Sequence, residues 1–211
     1  MSRLFVGTFL DEKDQEKFAP LPQKNGHLED LWKRKTRWVK AVKLHLTWIF
    51  LGEVEDELVP KVSSTLKKIL RERKHPKNEQ ISIDFSALKV WPTPRKPRMI
   101  VLSNEPGPKE VLSLARTLRT GLIPFYSEET EQEHNQEFRP HITLLRLDRR
   151  KDEDKKIGPN ISPKVDPSVI HAIDGVIPVH LKVNNICLVK SHLGEGNNDY
   201  EVLERFALDG R

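Results

Sequence analysis

A single cysteine among 211 residues excludes an internal disulfide framework. That residue, Cys187 in "VNNICLVK", reads as a small buried hydrophobe on a strand. No apolar run reaches the ~18 residues of a membrane span. The opening "MSRLFVGTFLDEKDQEKF" meets charge at once, where a cleaved leader would place small residues, so it reads as a strand entering a helix. The expected setting is the cytosol, with no membrane contact. The chain also lacks GxxxxGK[ST] and GxGxxG, and the "GEG" near its end is too little to cradle a nucleotide phosphate. It has no CxxC pair and no HExxH, so the usual zinc spacings are missing.

What is present is a globular composition, 36% hydrophobic and 32% charged. This length buries a real core without staples. Lysine and arginine total 36 against 31 acidic residues, for a net charge of +5. That excess permits an anionic partner such as RNA or a nucleotide without requiring one. It is uneven: "STLKKILRERKHPK" and "WPTPRKPR" are basic, whereas "SEETEQEHNQE" is acidic.

Periodicity predicts alternating strands and helices. Residues 3–9 form a strand, followed by a helical stretch broken at Pro20 and Pro22. "TRWV" and "KLHLTWIFLG" are strands, the second ending at Gly52. Leu58, Val62, Leu66, Ile69 and Leu70 mark a helix from about Asp56 to Arg73. "ISIDFSALKV" reads as one strand, "WPTPRKP" as a loop and "RMIVLS" as a strand. A second helix spans 109–121, with Val111, Leu114, Ala115 and Leu118 on one face and Gly121 as its stop. The strand "HITLLRL" comes next, then a charged connection over 148–166 expected to be mobile, a short helix near 167–173, and strands "HLKVNNICLVKS" and "DYEVLERFAL". The expected class is α+β (α/β) with mainly antiparallel sheet.

Within this pattern one unit occurs twice. In "KLHLTWIFLGEV", alternation places His45, Thr47 and Ile49 on one face and Leu44, Leu46, Trp48 and Phe50 on the other. In "FRPHITLLRL", His141 and Thr143 share a face while Ile142 and Leu144 point away. A lone His-x-Thr is common and fits a satisfied core histidine. Two of them, nearly half the chain apart, suggest a duplicated half-domain whose histidines face each other across a pseudo-twofold cleft.

Two histidines and two hydroxyls suit phosphodiester hydrolysis. One group takes a proton from water and the other gives a proton to the leaving oxygen. Histidine serves either role near neutral pH. A threonine two residues on can donate to a non-bridging phosphate oxygen, where charge develops. Neither motif brings a carboxylate or a second histidine, so no metal or other cofactor is expected.

On "RLFVGTFL", "RWV", "LHLTWIFLGEV", "PRKPRMIVL", "FRPHITLLR" and "VNNICLVKSHLGEG…YEVLERFAL", the chain resembles the 2H phosphoesterase superfamily. Within it, the resemblance is to the 2′-5′ RNA ligase family, also described as RNA 2′,3′-cyclic phosphodiesterases. The resemblance implies one bilobal domain over 1–211, with repeat halves of about 1–103 and 104–211. It implies two pseudo-twofold-related lobes of mainly antiparallel sheet with outer helices around a central cleft. It also implies hydrolysis of a terminal 2′,3′-cyclic phosphate to a 2′-phosphomonoester, with ATP-independent 2′-5′ joining as the reverse reaction. By the same resemblance His141 is the general base, His45 the general acid, and Thr47 and Thr143 hold the phosphate. Arg146 would join them at the phosphate and Phe50 would line the cleft near the base or ribose. Simple alternation puts both on the core face, so this placement requires a bulge or twist at each strand end. The sequence departs from the family pattern in the bulky Trp48, the apolar lead-in "KAVKLHLT" and the long charged stretch from Asp148 to Asp166.

The expected partners are RNA ends or nucleotides carrying a 2′,3′-cyclic phosphate, met by a monomer. A competing reading is a non-catalytic nucleotide- or RNA-binding module, although such a module would be expected to lose a motif histidine. Another keeps the enzyme and changes the substrate to a small cyclic nucleotide, an ADP-ribose cyclic phosphate or a 2′-5′ oligonucleotide. The remaining histidines, His27, His75, His134, His171, His180 and His192, lack matched partners and read as structural or solvated.

Overall fold

The computed structural model describes residues 1–32, 35–73, 80–93, 96–126, 130, 137–148, 173, 175, 178–192 and 199–208. The charged connection beyond Asp148 lies outside them, as does the short helix expected near 167–173 apart from Ile173.

Strand β1 (Ser2–Phe9) runs into α1 (Glu12–Phe18), whose first turn is capped by the Asp11 side chain accepting from the Asp14 N–H at 2.8 Å. The prolines break the helix as expected: Pro20 precedes a single turn, α2 (Leu21–Lys24), and α3 (Leu28–Trp32) comes after it. Next come β2 (Thr36–Trp38), β3 (His45–Val54) and α4 (Val59–Glu72), then β4 (Ser82–Phe85), β5 (Ala87–Thr93), β6 (Lys96–Ser103) and α5 (Lys109–Leu122). The chain closes with β7 (His141–Leu147), β8 (Val179–Lys182), β9 (Asn185–His192) and β10 (Asp199–Ala207).

The main sheet has the order β10-β9-β1-β3-β7-β6-β5, with β2 also pairing to β7 and every pairing antiparallel. Its two halves meet at one pair, Leu46 on β3 opposite Ile142 on β7. These residues each come directly after a motif histidine. A pairing of equivalent positions on antiparallel strands is what a local twofold axis produces. On one side of that axis lie β1, β9 and β10, and on the other β6, β5 and β2. The first set draws on both ends of the sequence, whereas the second comes from within residues 36–103 and flanks β7.

Burial explains the layering. Leu46 and Trp48 of β3, Ile142 and Leu144 of β7, and Leu4 and Val6 of β1 pack with Val62 and Leu66 of α4 and Val111, Leu114, Ala115 and Leu118 of α5. The other sheet face is left to the cleft. Bulky Trp48 belongs to this core: it is fully buried, its indole N–H donates to Thr8 Oγ1 at 2.9 Å, and its ring stacks on Phe138.

Several sequence expectations are corrected. "ISIDFSALKV" is two strands in different sheets, because β4 leaves the main sheet to pair with β8 while β5 pairs with β6. "HLKVNNICLVKS" is likewise split into β8 and β9. Much of "WPTPRKP" belongs to the β5–β6 ladder, with Pro92 opposite Pro97 and Thr93 opposite Lys96. Strand β3 continues past Gly52 to Val54, since Gly52 takes a positive φ of 75° inside it. Gly121 does not stop its helix, which runs on to Leu122. A Cβ there would stand 2.4 Å from Ile69 Cδ1, so any larger residue would make the Ile69 side chain shift where α4 and α5 approach.

Candidate active site

His45 opens β3 and His141 opens β7. With Leu46 and Ile142 paired and facing the core, His45, Thr47, His141 and Thr143 flank that pair on the opposite face. Each histidine thus lies across from the other motif's threonine.

The alternation then breaks at the same place in both strands. On β3, Val6 pairs with Ile49 and Gly7 with Thr47, so Trp48 is an extra residue. On β7, Ile100 pairs with Leu145 and Val101 with Thr143, so Leu144 is an extra residue. Each bulge sits three residues after its histidine and reverses the phase of the later strand positions. Ile49, expected beside His45 and Thr47, is turned into the core and is 1% exposed. Phe50 and Arg146 are turned out of the core onto the histidine face, where both are exposed. Gly7, beside Thr47, leaves room for this close approach: a Cβ on it would lie 3.1 Å from the Leu46 carbonyl oxygen and 3.4 Å from the His45 ring.

Both rings are oriented alike. His45 Nδ1 lies 2.7 Å from the Lys43 carbonyl oxygen, and His141 Nδ1 lies 2.9 Å from that of Arg139. A carbonyl only accepts, so each Nδ1 carries a proton and each Nε2 is left for the cleft. Aromatic rings wall both histidines. His45 packs against Phe5 at 4.9 Å, Phe9 at 5.4 Å and Tyr200 at 5.3 Å between ring centres. His141 packs against Trp91 at 4.2 Å. The Thr143 hydroxyl points to the Met99 sulfur at 3.9 Å, a weak acceptor that leaves it able to donate elsewhere.

Burial pushes the His45 pKa down to about 4, opposed by the Lys43 carbonyl and assisted by the charges of His141 and Arg146. His141 is lowered too, first by burial, against the Arg139 carbonyl. The positive charges of Arg139 and Arg146 lower it further, while Glu105 raises it. The charge of Arg146 therefore reaches both rings, and it also acts on Tyr200. A cationic setting of this kind disfavours an imidazolium. Among the described residues no three His, Cys, Asp or Glu side chains are placed to share one ion.

Trp91, Glu105, Arg139 and Tyr200 were not singled out in the sequence as site residues. Arg139 stands inside the quoted "FRPH", but the others come from strands and a loop that only the sheet order brings near the motifs. Of the remaining histidines, His180 pairs with Asp84 at 2.6 Å and His192 with Glu201 at 3.0 Å, and both are exposed. His75, His134 and His171 lie outside the described residues.

Comparison with known proteins adds four findings. An RNA 2′,3′-cyclic phosphodiesterase of Aquifex aeolicus (strain VF5) is 27% identical over 213 residues, covering 99% of this chain and 98% of that protein. The crystal structure of TT0787 of Thermus thermophilus matches with a TM-score of 0.70 at 26% identity, covering 99% of this chain and 98% of that one. E. coli LigT complexed with 3′-AMP matches with a TM-score of 0.62 at 23% identity and the same coverage, a likeness of fold. The family model of the 2′-5′ RNA ligase superfamily matches residues 20–195, so the chain belongs to that superfamily.

Proposed function

We propose that this protein hydrolyses terminal 2′,3′-cyclic phosphates of RNA, or of nucleotides, to 2′-phosphomonoesters by two-histidine acid–base catalysis within a single bilobal domain. The observation that carries this reading is the repeated geometry of His45-Thr47 and His141-Thr143, each imidazole held by Nδ1 and presenting Nε2 to one cleft. The phosphodiesterase named in Aquifex aeolicus, alike over almost the whole chain, supports the substrate class.

His141 Nε2 takes a proton from water as its oxygen attacks phosphorus. The bond from phosphorus to O3′ breaks, and His45 Nε2 gives its proton to that oxygen. The products are a 2′-phosphate and a 3′-hydroxyl, and proton exchange with solvent resets both rings. Thr47, Thr143 and Arg146 hold the non-bridging oxygens through the transition state, where their charge is greatest. Phe50 offers a face for the base or ribose. Burial first, then the charges of His141 and Arg146, hold the His45 pKa near 4 in the empty cleft, and the charge of a bound phosphate anion raises it toward the protonated form that the acid's role requires. With a 5′-hydroxyl in place of water the same steps join two ends without ATP. His141 takes the hydroxyl's proton as its oxygen attacks phosphorus, the bond to O3′ breaks, His45 protonates O3′, and a 2′-5′ bond results.

The test is incubation of the protein, in excess EDTA, with a short RNA ending in a 2′,3′-cyclic phosphate. A 2′-phosphate product is expected. A reaction that stops in EDTA and returns with added metal would reject the two-histidine mechanism, and no turnover in either condition would reject the substrate class.

A further inference from the structure

The residue two places before each motif histidine has the same three attachments on both sides of the twofold axis. Arg139 accepts the His141 Nδ1–H with its carbonyl, pairs through Nε with Glu105 Oε1 at 2.8 Å, and lies over the Trp91 ring at 4.6 Å. Trp91 in turn packs against His141. Lys43 accepts the His45 Nδ1–H with its carbonyl, pairs with Asp199, and lies over the Tyr200 ring at 6.0 Å. Tyr200 meets His45 edge-on. Carboxylate, cation, aromatic ring and histidine thus form one bracket, built twice from different residues.

The His141 bracket is the more firmly anchored. Glu105 also accepts from Lys89 of β5, and its side chain is 21% exposed, against 80% for Asp199. The loop that carries Glu105 is tied to the lead of β7 twice more: the Asn104 N–H donates to the Pro140 carbonyl at 3.4 Å, and a Cβ on Gly107 would stand 2.7 Å from the Pro140 ring.

We propose that these brackets position the two motif histidines, with Glu105 acting through Arg139 and Trp91 as the principal positioning residue of His141, and Asp199 acting through Lys43 and Tyr200 as the weaker counterpart for His45. The role in turnover rests on the acid–base reading above, whereas the positioning itself does not. A backbone carbonyl that orients an imidazole is only as steady as its own residue. Arg139 is steadied by a charge-assisted hydrogen bond and by stacking on an indole. Lys43 is itself half-buried, but the Asp199 carboxylate that holds it is 80% exposed, so solvent screens that pair more at the acidic end.

The experiment uses the full chain with Glu105→Gln, Asp199→Asn, Arg139→Gln and Arg139→Lys. The first readout is the titration of both imidazoles by NMR without substrate. The groups acting on His141 are Arg139 and Arg146 of its own segment, Glu105 and Lys89 beside Arg139, and His45 across the cleft. Removing the Glu105 charge is expected to move the His141 midpoint to lower pH and leave His45 nearly unmoved. The second readout is turnover of the cyclic-phosphate RNA. Glu105→Gln and Arg139→Gln should lose about 10-fold or more in kcat with little change in KM, as a displaced catalytic group does. Arg139→Lys should recover part of that loss, and Asp199→Asn should lose less than Glu105→Gln. An unmoved His141 midpoint in Glu105→Gln, with both rings titrating as in the parent, overturns the bracket whatever the turnover shows. Absence of turnover in the parent protein overturns the assigned reaction and leaves the NMR result to decide the positioning.

Discussion

At the scale of single residues, the two motif histidines are equivalent in geometry and unequal in surroundings. His45 sits among Phe5, Phe9 and Tyr200, whereas His141 has Trp91 together with the charges of Arg139 and Glu105. Equivalent geometry leaves the order of roles to chemistry. His45→Ala and His141→Ala should each lose about 10²–10⁴ in turnover, the usual worth of one proton transfer. Thermal unfolding of each variant should remain cooperative. An aryl phosphodiester, whose leaving oxygen needs no proton, separates the roles. On it His45→Ala should regain most of its loss and His141→Ala should not. The opposite pattern would exchange acid and base.

At the scale of elements, the site depends on two bulges. Without the extra residues Trp48 and Leu144, Phe50 and Arg146 would face the core, where an arginine lacks a partner. With them, each strand delivers a histidine, a threonine and a third side chain to one face. The helices behind the sheet are set as tightly, because α4 and α5 touch where Gly121 meets Ile69. Gly121→Ala would gain up to ~1 kcal/mol of helix propensity. Its new methyl would nonetheless collide with Ile69 Cδ1, and such overpacking costs about 1–3 kcal/mol. We expect a net loss of stability in denaturant melts, relieved in part in the double variant with Ile69→Val, which lacks Cδ1 but keeps Cγ1, 2.9 Å from the new carbon. A stabilised Gly121→Ala would mean that the Ile69 side chain turns aside without strain.

At the scale of the whole molecule, folding removes protons from both histidines. A lowered imidazole pKa means that the unfolded chain binds more protons below its value of about 6.5. The stability contributed by neutral His45 is therefore full above that pH and is lost as pH falls toward about 4. The carboxylates of Glu105, Asp56, Asp199 and Glu29 are lowered by their hydrogen-bond partners, so their contribution holds above the ordinary carboxylate range and fades only below it. Acid unfolding should accordingly start in the histidine window and steepen in the carboxylate window. His45→Ala should flatten the first part alone, which chemical denaturation at stepped pH would reveal. An unchanged first part would place the titrating group elsewhere.

The repeated His-x-Thr, its spacing, the helical faces of α4 and α5 and the mainly antiparallel class were legible in the chain, because periodicity and a short local motif depend on neighbours in sequence. Phe50 and Arg146 came from the family resemblance, and local alternation contradicted their placement on the cleft face. Bulges, strand partners and the separate β4–β8 sheet were decided by tertiary structure, since they depend on which strands lie alongside. The same holds for the brackets around the histidines. Glu105, Trp91 and Tyr200 reach the site only when β5, the loop after β6 and β10 close around it, and no local pattern encodes such long-range pairings.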